Sequence, residues 1–315
     1  MDTRLFAPAE PHSTPMLTLL QRAGVVCLVA GTFFSTFRDL RMGQVNFLLS
    51  DLFFVLAGPA LLLTFRTERI LPFASPRVRL AWFTGTLMLT FGLTVSTLVN
   101  GDSLRGIIVV GQYLFALLVL PGLLAIAPPW SRRLLGRSYL LGIGVVSAIG
   151  VVLYFLFPLQ ARVYSFGGRM ASLLGDPNAF SKVIGISVPL LLAMIVREEI
   201  PRIMAGVVGV FCLGGVLVAA SFSGLAANLV AFVIFFALLG RMKEILRLSL
   251  VLLVLGSAYF YTFGMPDIVE RRIVPVLMAR DLSAAPNFDS RLSGVTEALR
   301  MVRSPLIGVG ADDFR

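Results

Sequence analysis

Apolar stretches of about twenty residues alternate with short polar breaks along most of the chain, and a helix of about that length crosses a bilayer. The pattern predicts nine spans, at 19–37, 45–65, 78–99, 104–126, 138–158, 179–196, 203–221, 223–240 and 245–264. Between the seventh and eighth lies only Ser221-Phe222-Ser223-Gly224. The two together, about 38 residues, are too long for one crossing and read as a tight hairpin. Pro8, Pro11 and Pro15 precede a first span that is too long for a signal-peptide core, so that span is expected to stay as an anchor.

Past residue 264 the pattern changes. Asp267 to Arg280 is amphipathic and interrupted by Pro275. A second helix is predicted from Asp289/Ser290 to Ser304-Pro305, with Leu292, Val295, Leu299 and Val302 as an apolar stripe at 3–4 spacing. Arg291, Arg300 and Arg303 are its basic members. It reads either as a surface helix on the bundle or as a cap over an outer cavity. The expected organisation is an all-α polytopic bundle at 19–264, between an N-terminal tail at 1–18 and a helical segment at 265–315.

Composition agrees. Of 315 residues, 57% are hydrophobic and 14% charged, against about 25% charged in average soluble domains. The mean hydropathy is +0.90. These values exclude a soluble globular enzyme, a disordered tail and a secreted disulfide scaffold. Cys27 and Cys212 both lie inside apolar runs, and His12, in the N-terminal tail, is the sole histidine. Histidine-based catalysis and zinc sites are therefore not expected.

The formal net charge of +10 would suggest nucleic acid in a soluble protein. Here its distribution gives orientation instead. The breaks on the N-terminal face carry fourteen basic residues: Arg4, Arg22, Arg66, Arg69, Arg77, Arg79, Arg132, Arg133, Arg137, Arg197, Arg202, Arg241, Lys243 and Arg247. The opposite face carries six: Arg38, Arg41, Arg105, Arg162, Arg169 and Lys182. By the positive-inside rule the N-terminus is expected to be cytoplasmic, and residues beyond about 265 to lie outside, in the periplasm of a Gram-negative cell.

The six outer cations need another explanation. Arg105 opens the fourth span, with Gln112 two turns deeper, and Lys182 lies near the start of the sixth. Arg105 and Lys182 can extend to the interface. Asp51, inside the second span, is too short to do so, and reads as a salt-bridge partner or a site residue. The fifth-to-sixth connection contains Gly167-Gly168-Arg169 and Gly175-Asp176-Pro177-Asn178. Asp-Pro-Asn before an apolar run is a helix-start signal, which accounts for Pro177 and Asn178. It does not account for Arg169. Gly308-Val-Gly310 neither follows a strand nor opens a helix, so a dinucleotide site is rejected.

Arg169-x-x-Ser172-x-x-Gly175-Asp176-Pro177-Asn178 opens a span in a many-helix chain. A Ser-rich hairpin follows two spans later, and Asp289-Ser-Arg-Leu runs on to Arg303-Ser-Pro-Leu-Ile-Gly-Val-Gly-Ala-Asp-Asp-Phe314. In these blocks and their order the chain resembles the O-antigen ligase and polymerase family. The resemblance implies transfer, at the periplasmic face, of a glycan from undecaprenyl pyrophosphate to a sugar hydroxyl. The acceptor would be the lipid A core or a growing chain, and the membrane lipids surround the bundle. No metal, nucleotide or nucleic acid is implied. Arg169 and Arg291 become the expected pyrophosphate ligands, with Asp176, Asn178, Arg105, Asp51 and Arg300 as further binding residues. Two departures accompany it. The hairpin has Ser221-Phe222-Ser223 where many relatives have Ser-Arg, and the histidine expected beyond the Gly-Val-Gly stretch would fall after Arg315. The chain is therefore expected to be a fragment of a longer protein or a degenerate member. A secondary transporter or glycan flippase, and a non-catalytic member of an assembly complex, are the alternatives from other classes. The lack of a repeat between spans 1–4 and 5–9 argues against a transporter.

Overall fold

A computed structural model describes residues 15–37, 41–42, 47–64, 75–100, 103–157, 165–166, 168–240 and 288–301, with scattered positions between 243 and 280. The expected ninth span and the Asp267–Arg280 segment lie mostly outside the described residues.

The chain is helical at nearly every described position. The helices are α1 (Pro15–Phe34), α2 (Leu49–Leu63), α3 (Pro76–Asn100), α4 (Ser103–Leu114), α5 (Leu120–Ile126), α6 (Ser131–Leu156), α7 (Pro177–Val196), α8 (Arg202–Ala219), α9 (Phe222–Leu238) and α10 (Phe288–Met301). Two antiparallel pairs of two residues each are the only strands among the described residues: β1 (Arg41–Met42) with β2 (Phe47–Leu48), and β3 (Ser165–Phe166) with β4 (Arg169–Met170). Five stretches are long and apolar enough to cross a membrane: Pro76–Val99, Gly106–Ile126, Ser131–Leu156, Pro177–Val196 and Arg202–Ala219. Thr18–Phe34, Leu49–Leu63 and Gly224–Leu238 are shorter apolar helices, and they coincide with the first, second and eighth expected spans.

Glycine positions fix the relative directions of the helices, because each marks a close crossing. A Cβ on Gly24 would lie 3.0 Å from Leu61, and one on Gly31 would lie 2.7 Å from Phe54, so α1 and α2 are antiparallel. Gly144 meets Val208 and Gly214 meets Val151, so α6 and α8 run the same way. Gly209 faces Leu191 and Gly215 faces Ile184 and Phe180, so α7 opposes α8. Gly185 meets Asn228 and Gly224 meets Ser181, so α9 runs with α7. Helices on α7's two sides thus run in opposite directions, and α8 and α9 straddle it. Ala220 and Ser221 carry this reversal, with Ala220 left-handed at φ 43°. The expected break between the seventh and eighth spans is present, but α9 packs along α7 rather than along α8.

Lipid tails are as apolar as leucine side chains, so such helices associate by close packing rather than by burial from water. The main packed cluster joins α6, α7 and α8 through Leu140, Ile143, Val146, Phe180, Ile184 and Cys212, with Met170 of the β3–β4 hairpin. A second cluster joins α1, α2, α5 and the start of α6 through Val25, Leu28, Phe54, Leu61, Leu123 and Leu135. Ser138 Oγ donates to the Val29 carbonyl at 2.7 Å across the α1–α6 contact.

The fourth expected span is not one regular helix. Phe115–Val119 is a π-helical turn between α4 and α5. Pro121 lacks the N–H that would bond the carbonyl four residues back, that of Leu117. The Trp82 indole N–H donates to that carbonyl instead, at 2.9 Å. The fifth span begins earlier than expected, at Ser131, so Arg132, Arg133 and Arg137 lie in its first two turns rather than in a loop.

Candidate functional site

The end of α6, the β3–β4 hairpin, the start of α7 and the α8–α9 reversal meet at one end of the bundle. The hairpin turns at Gly168, φ 78°, a conformation that favours glycine. Arg169 and Met170 follow and are buried. Ser172, at φ 50°, donates its hydroxyl to the Val146 carbonyl at 2.6 Å, which ties the connection to α6. Gly150 of α6 lets Ser172 approach, since a Cβ there would lie 3.1 Å from the serine Cβ. Gly175 turns again at φ 69°. Asp176 is then the N-cap of α7, its carboxylate accepting from Asn178 N at 3.0 Å and Ala179 N at 3.3 Å. Pro177 occupies the first helical position, where its missing N–H costs nothing.

Arg169 is 8% exposed. Its Nε donates to the Ala219 carbonyl at 3.0 Å, in the last turn of α8. Its Nη2 donates to Asn178 Oδ1 at 2.8 Å. The same Oδ1 accepts the Ser221 hydroxyl at 3.0 Å, and Ser221 in turn caps α9 by accepting from Gly224 N at 3.3 Å. The guanidinium therefore ties the C-terminus of α8 to the N-terminus of α7, and Ser221 brings the N-terminus of α9 onto the same Asn178 oxygen. The bonds to Ala219 and Asn178 both go to neutral oxygens and fix the orientation of the guanidinium.

A polar seam continues below this clasp between α7 and α9. Asn228 is buried, and its Nδ2 donates to the Gly224 carbonyl at 2.7 Å and the Ser181 carbonyl at 3.4 Å. The Ser181 hydroxyl is fully buried and has no hydrogen-bond partner among the described residues. It lies directly against Gly224, where a Cβ would overlap it.

Of the residues singled out from the sequence, Arg169, Asp176 and Asn178 come together here. Asp176 acts as a helix cap, with both carboxylate oxygens engaged by backbone N–H groups. Asp51 stands at the third position of α2, and its Oδ2 accepts from Leu48 N at 2.9 Å, closing the helix start. That bond gives Asp51 a local role that needs no partner such as Arg105. The side chains of Arg105 and Arg291 lie outside the described residues. Arg300 is exposed on α10, and so is the apolar stripe of Leu292, Val295 and Leu299. Lys182 is exposed on α7.

Ser221 is the participant that sequence reasoning did not assign to the site. Its local signal is visible, since a serine before a helix start is a capping pattern. Its bond to Asn178 spans 43 residues of chain. Among the described residues, no three or more His, Cys, Asp or Glu side chains are grouped to hold a metal ion.

Fold and site together define an α-helical membrane protein with a buried, oriented arginine at one end of its bundle. No protein-family model, no curated protein and no solved structure matches the chain.

Proposed function

We propose that this protein is a membrane glycosyltransferase that moves a glycan from an undecaprenyl-pyrophosphate donor to a sugar hydroxyl at the periplasmic face of the bacterial inner membrane. The observation that carries the reading is Arg169, buried at a bundle end and oriented by Ala219 and Asn178. Guanidinium–phosphate bonds are charge-assisted and strengthen as negative charge gathers on a departing pyrophosphate. The N-termini of α7 and α9 open at the same end, where the helix dipole also favours an anion. Nine spans with a cytoplasmic N-terminus complete the reading. In its support, exposed Arg132, Arg133, Arg197 and Arg202 gather at the opposite end of α6, α7 and α8, as the positive-inside rule requires of a cytoplasmic face. In this scheme Asn178 and Ser221 hold the arginine, and Arg291 is a second pyrophosphate ligand by the family resemblance.

The test is glycan transfer from a polyprenyl-pyrophosphate-linked donor by membranes containing the full-length protein. Arg169→Ala is expected to reduce transfer at least 100-fold, on the order of the loss seen when one transition-state donor is removed. Arg169→Lys is expected to fail similarly, because an ammonium cannot reproduce the planar fork. Unchanged transfer by both variants, at normal membrane abundance, overturns the assignment.

A further inference from the structure

α6 is longer than the helices packed beside it. Its 26 residues make about 39 Å of helix, against about 30 Å for the 20 residues of α7 and about 27 Å for the 18 of α8. The crossing points put the excess at the Ser131 end. Gly144, thirteen residues past Ser131, meets Val208, six residues past Arg202. α6 therefore starts about seven residues, or roughly 10 Å, before α8. A hydrocarbon layer about 30 Å thick is filled by α7 and α8. The first two turns of α6 then stand as a wall beside the α7–α8 connection, at the level of the lipid head groups.

Arginines line this step from both sides. Arg137 Nε donates to the Glu199 carbonyl at 2.6 Å, so that face of α6 looks onto the connection. Arg133 lies one turn further out on the same face. Gly136 meets Met194 of α7, and Arg132 lies one turn out from Gly136. Arg197 and Arg202 form the floor, at the end of α7 and the start of α8. Arg132, Arg133, Arg197 and Arg202 are exposed, and their side chains make no hydrogen bond or ion pair among the described residues. Glu198 and Glu199 are the acids of the connection, and neither carboxylate pairs with these arginines. Five cations against two carboxylates leave the step positive. The positive-inside rule accounts for the side of the membrane on which these residues lie, but not for their assembly around one step.

We propose that the step binds the phosphate of an anionic phospholipid, between Arg132 and Arg133 on the wall and Arg202 on the floor. Guanidinium groups pair with phosphate oxygens two bonds at a time, and basic pockets between membrane helices at this level suit lipid head groups. Position favours a lipid over a soluble anion. Leu134, Val196 and Ile203 are exposed next to the arginines on the hydrocarbon side, where acyl chains lie. Trp130, exposed at the top of the wall, is the residue type enriched at membrane interfaces. Charge favours a lipid over neighbouring parts of the chain. The other breaks expected on this face set Glu68 among Arg66 and Arg69, and Glu244 among Arg241, Lys243 and Arg247, so they bring cations in excess. The inference is independent of the transferase reading and needs only that these helices cross a membrane.

The test places the full chain in phosphatidylcholine vesicles that carry brominated phosphatidylglycerol or, separately, the same fraction of brominated phosphatidylcholine. Bromine quenches indole fluorescence at contact, and the difference between the parent chain and Trp130→Phe reports Trp130 apart from Trp82. Phosphatidylglycerol is expected to associate beside Trp130 at least about fivefold more strongly than phosphatidylcholine, the factor that one arginine near an anionic surface supplies. Arg133→Gln combined with Arg202→Gln is expected to bring that ratio close to one, and each single substitution to lower it part-way. Lys182→Gln, at the other end of α7, is expected to leave it unchanged. Arg133 and Arg202 bond to no other described side chain, so the variants are expected to keep the parent's thermal transition. A parent ratio near one overturns the proposal. An unchanged ratio in the double variant also overturns it and assigns the preference to the general charge of this face. Loss of the preference on adding millimolar inorganic phosphate at constant ionic strength overturns it as well and assigns the step to a soluble anion.

Discussion

Arg169 owes its position to three residues with unusual backbone geometry, namely Gly168, Ser172 and Gly175, and its orientation to two acceptors, one nearby at Asn178 and one far along the chain at Ala219. The local part is visible in the sequence. Asp176-Pro177-Asn178 before an apolar run states where α7 begins, and the structure places the cap there. That Arg169 is not needed for this turn was equally legible. What it bonds was not, because Ala219 lies 50 residues away and Ser221 meets Asn178 across 43. The tightest point of the seam, Ser181 against Gly224, yields a prediction at this scale. Gly224→Ala forces a Cβ into the serine side chain in the first turn of α9. It is expected to destabilise the protein by about 1–3 kcal/mol, the usual cost of overpacking. Ser181→Gly, which removes the opposing Cβ and hydroxyl, is expected to restore most of that loss. Denaturation of the two single variants and the double variant in detergent measures the coupling. Simple additivity would show that the seam is not the point of conflict.

Apolar runs located the helices but not their interruptions. The fourth span reads as one segment over 104–126, with Pro121 inside it. Tertiary contact decides how the helix accommodates that proline. Trp82, 35 residues earlier, supplies the missing donor to Leu117, and the helix takes a π turn above the proline. Trp82→Phe removes the donor and keeps most of the apolar surface. It is expected to cost about 1–2 kcal/mol, the penalty of a bonded carbonyl left unpaired. In a Pro121→Ala background the new backbone N–H reaches Leu117, so the same Trp82→Phe change is expected to cost less. Equal costs in the two backgrounds would mean that the indole bond and the proline are unconnected. Hydropathy could not anticipate this, because a π turn and an α turn bury the same side chains on average. The helix termini moved for related reasons. α2 starts at Leu49, where Asp51 closes the chain onto Leu48, and α6 extends back to Ser131 because a helix does not end where the lipid does.

For the molecule as a whole, the alternation of helix direction places the 157–176 connection and the α8–α9 reversal at one end, and exposed Arg197 and Arg202 at the other. This arrangement makes topology testable with single cysteines in a Cys27→Ala, Cys212→Ala background. Phe157→Cys, exposed at the end of α6, is expected to react with a membrane-impermeant maleimide added outside intact cells stripped of their outer membrane. Arg197→Cys is expected to react only after the membrane is opened. The reverse pattern would invert the orientation and remove the periplasmic reading of the Arg169 end. The sequence by itself determined that the chain is a bundle of apolar helices, where most of them lie and where α7 starts. These follow from composition and from hydrogen bonds between near neighbours, which any local stretch carries with it. Only the tertiary structure decided that α9 lies along α7, that Arg169 and Ser221 meet on Asn178 and so join three helix ends, and that α4 keeps Gln112 exposed. Those outcomes depend on which small residues let two particular helices approach. Pairing of that kind is a property of surfaces brought together from distant parts of the chain, and periodicity along one helix does not encode it.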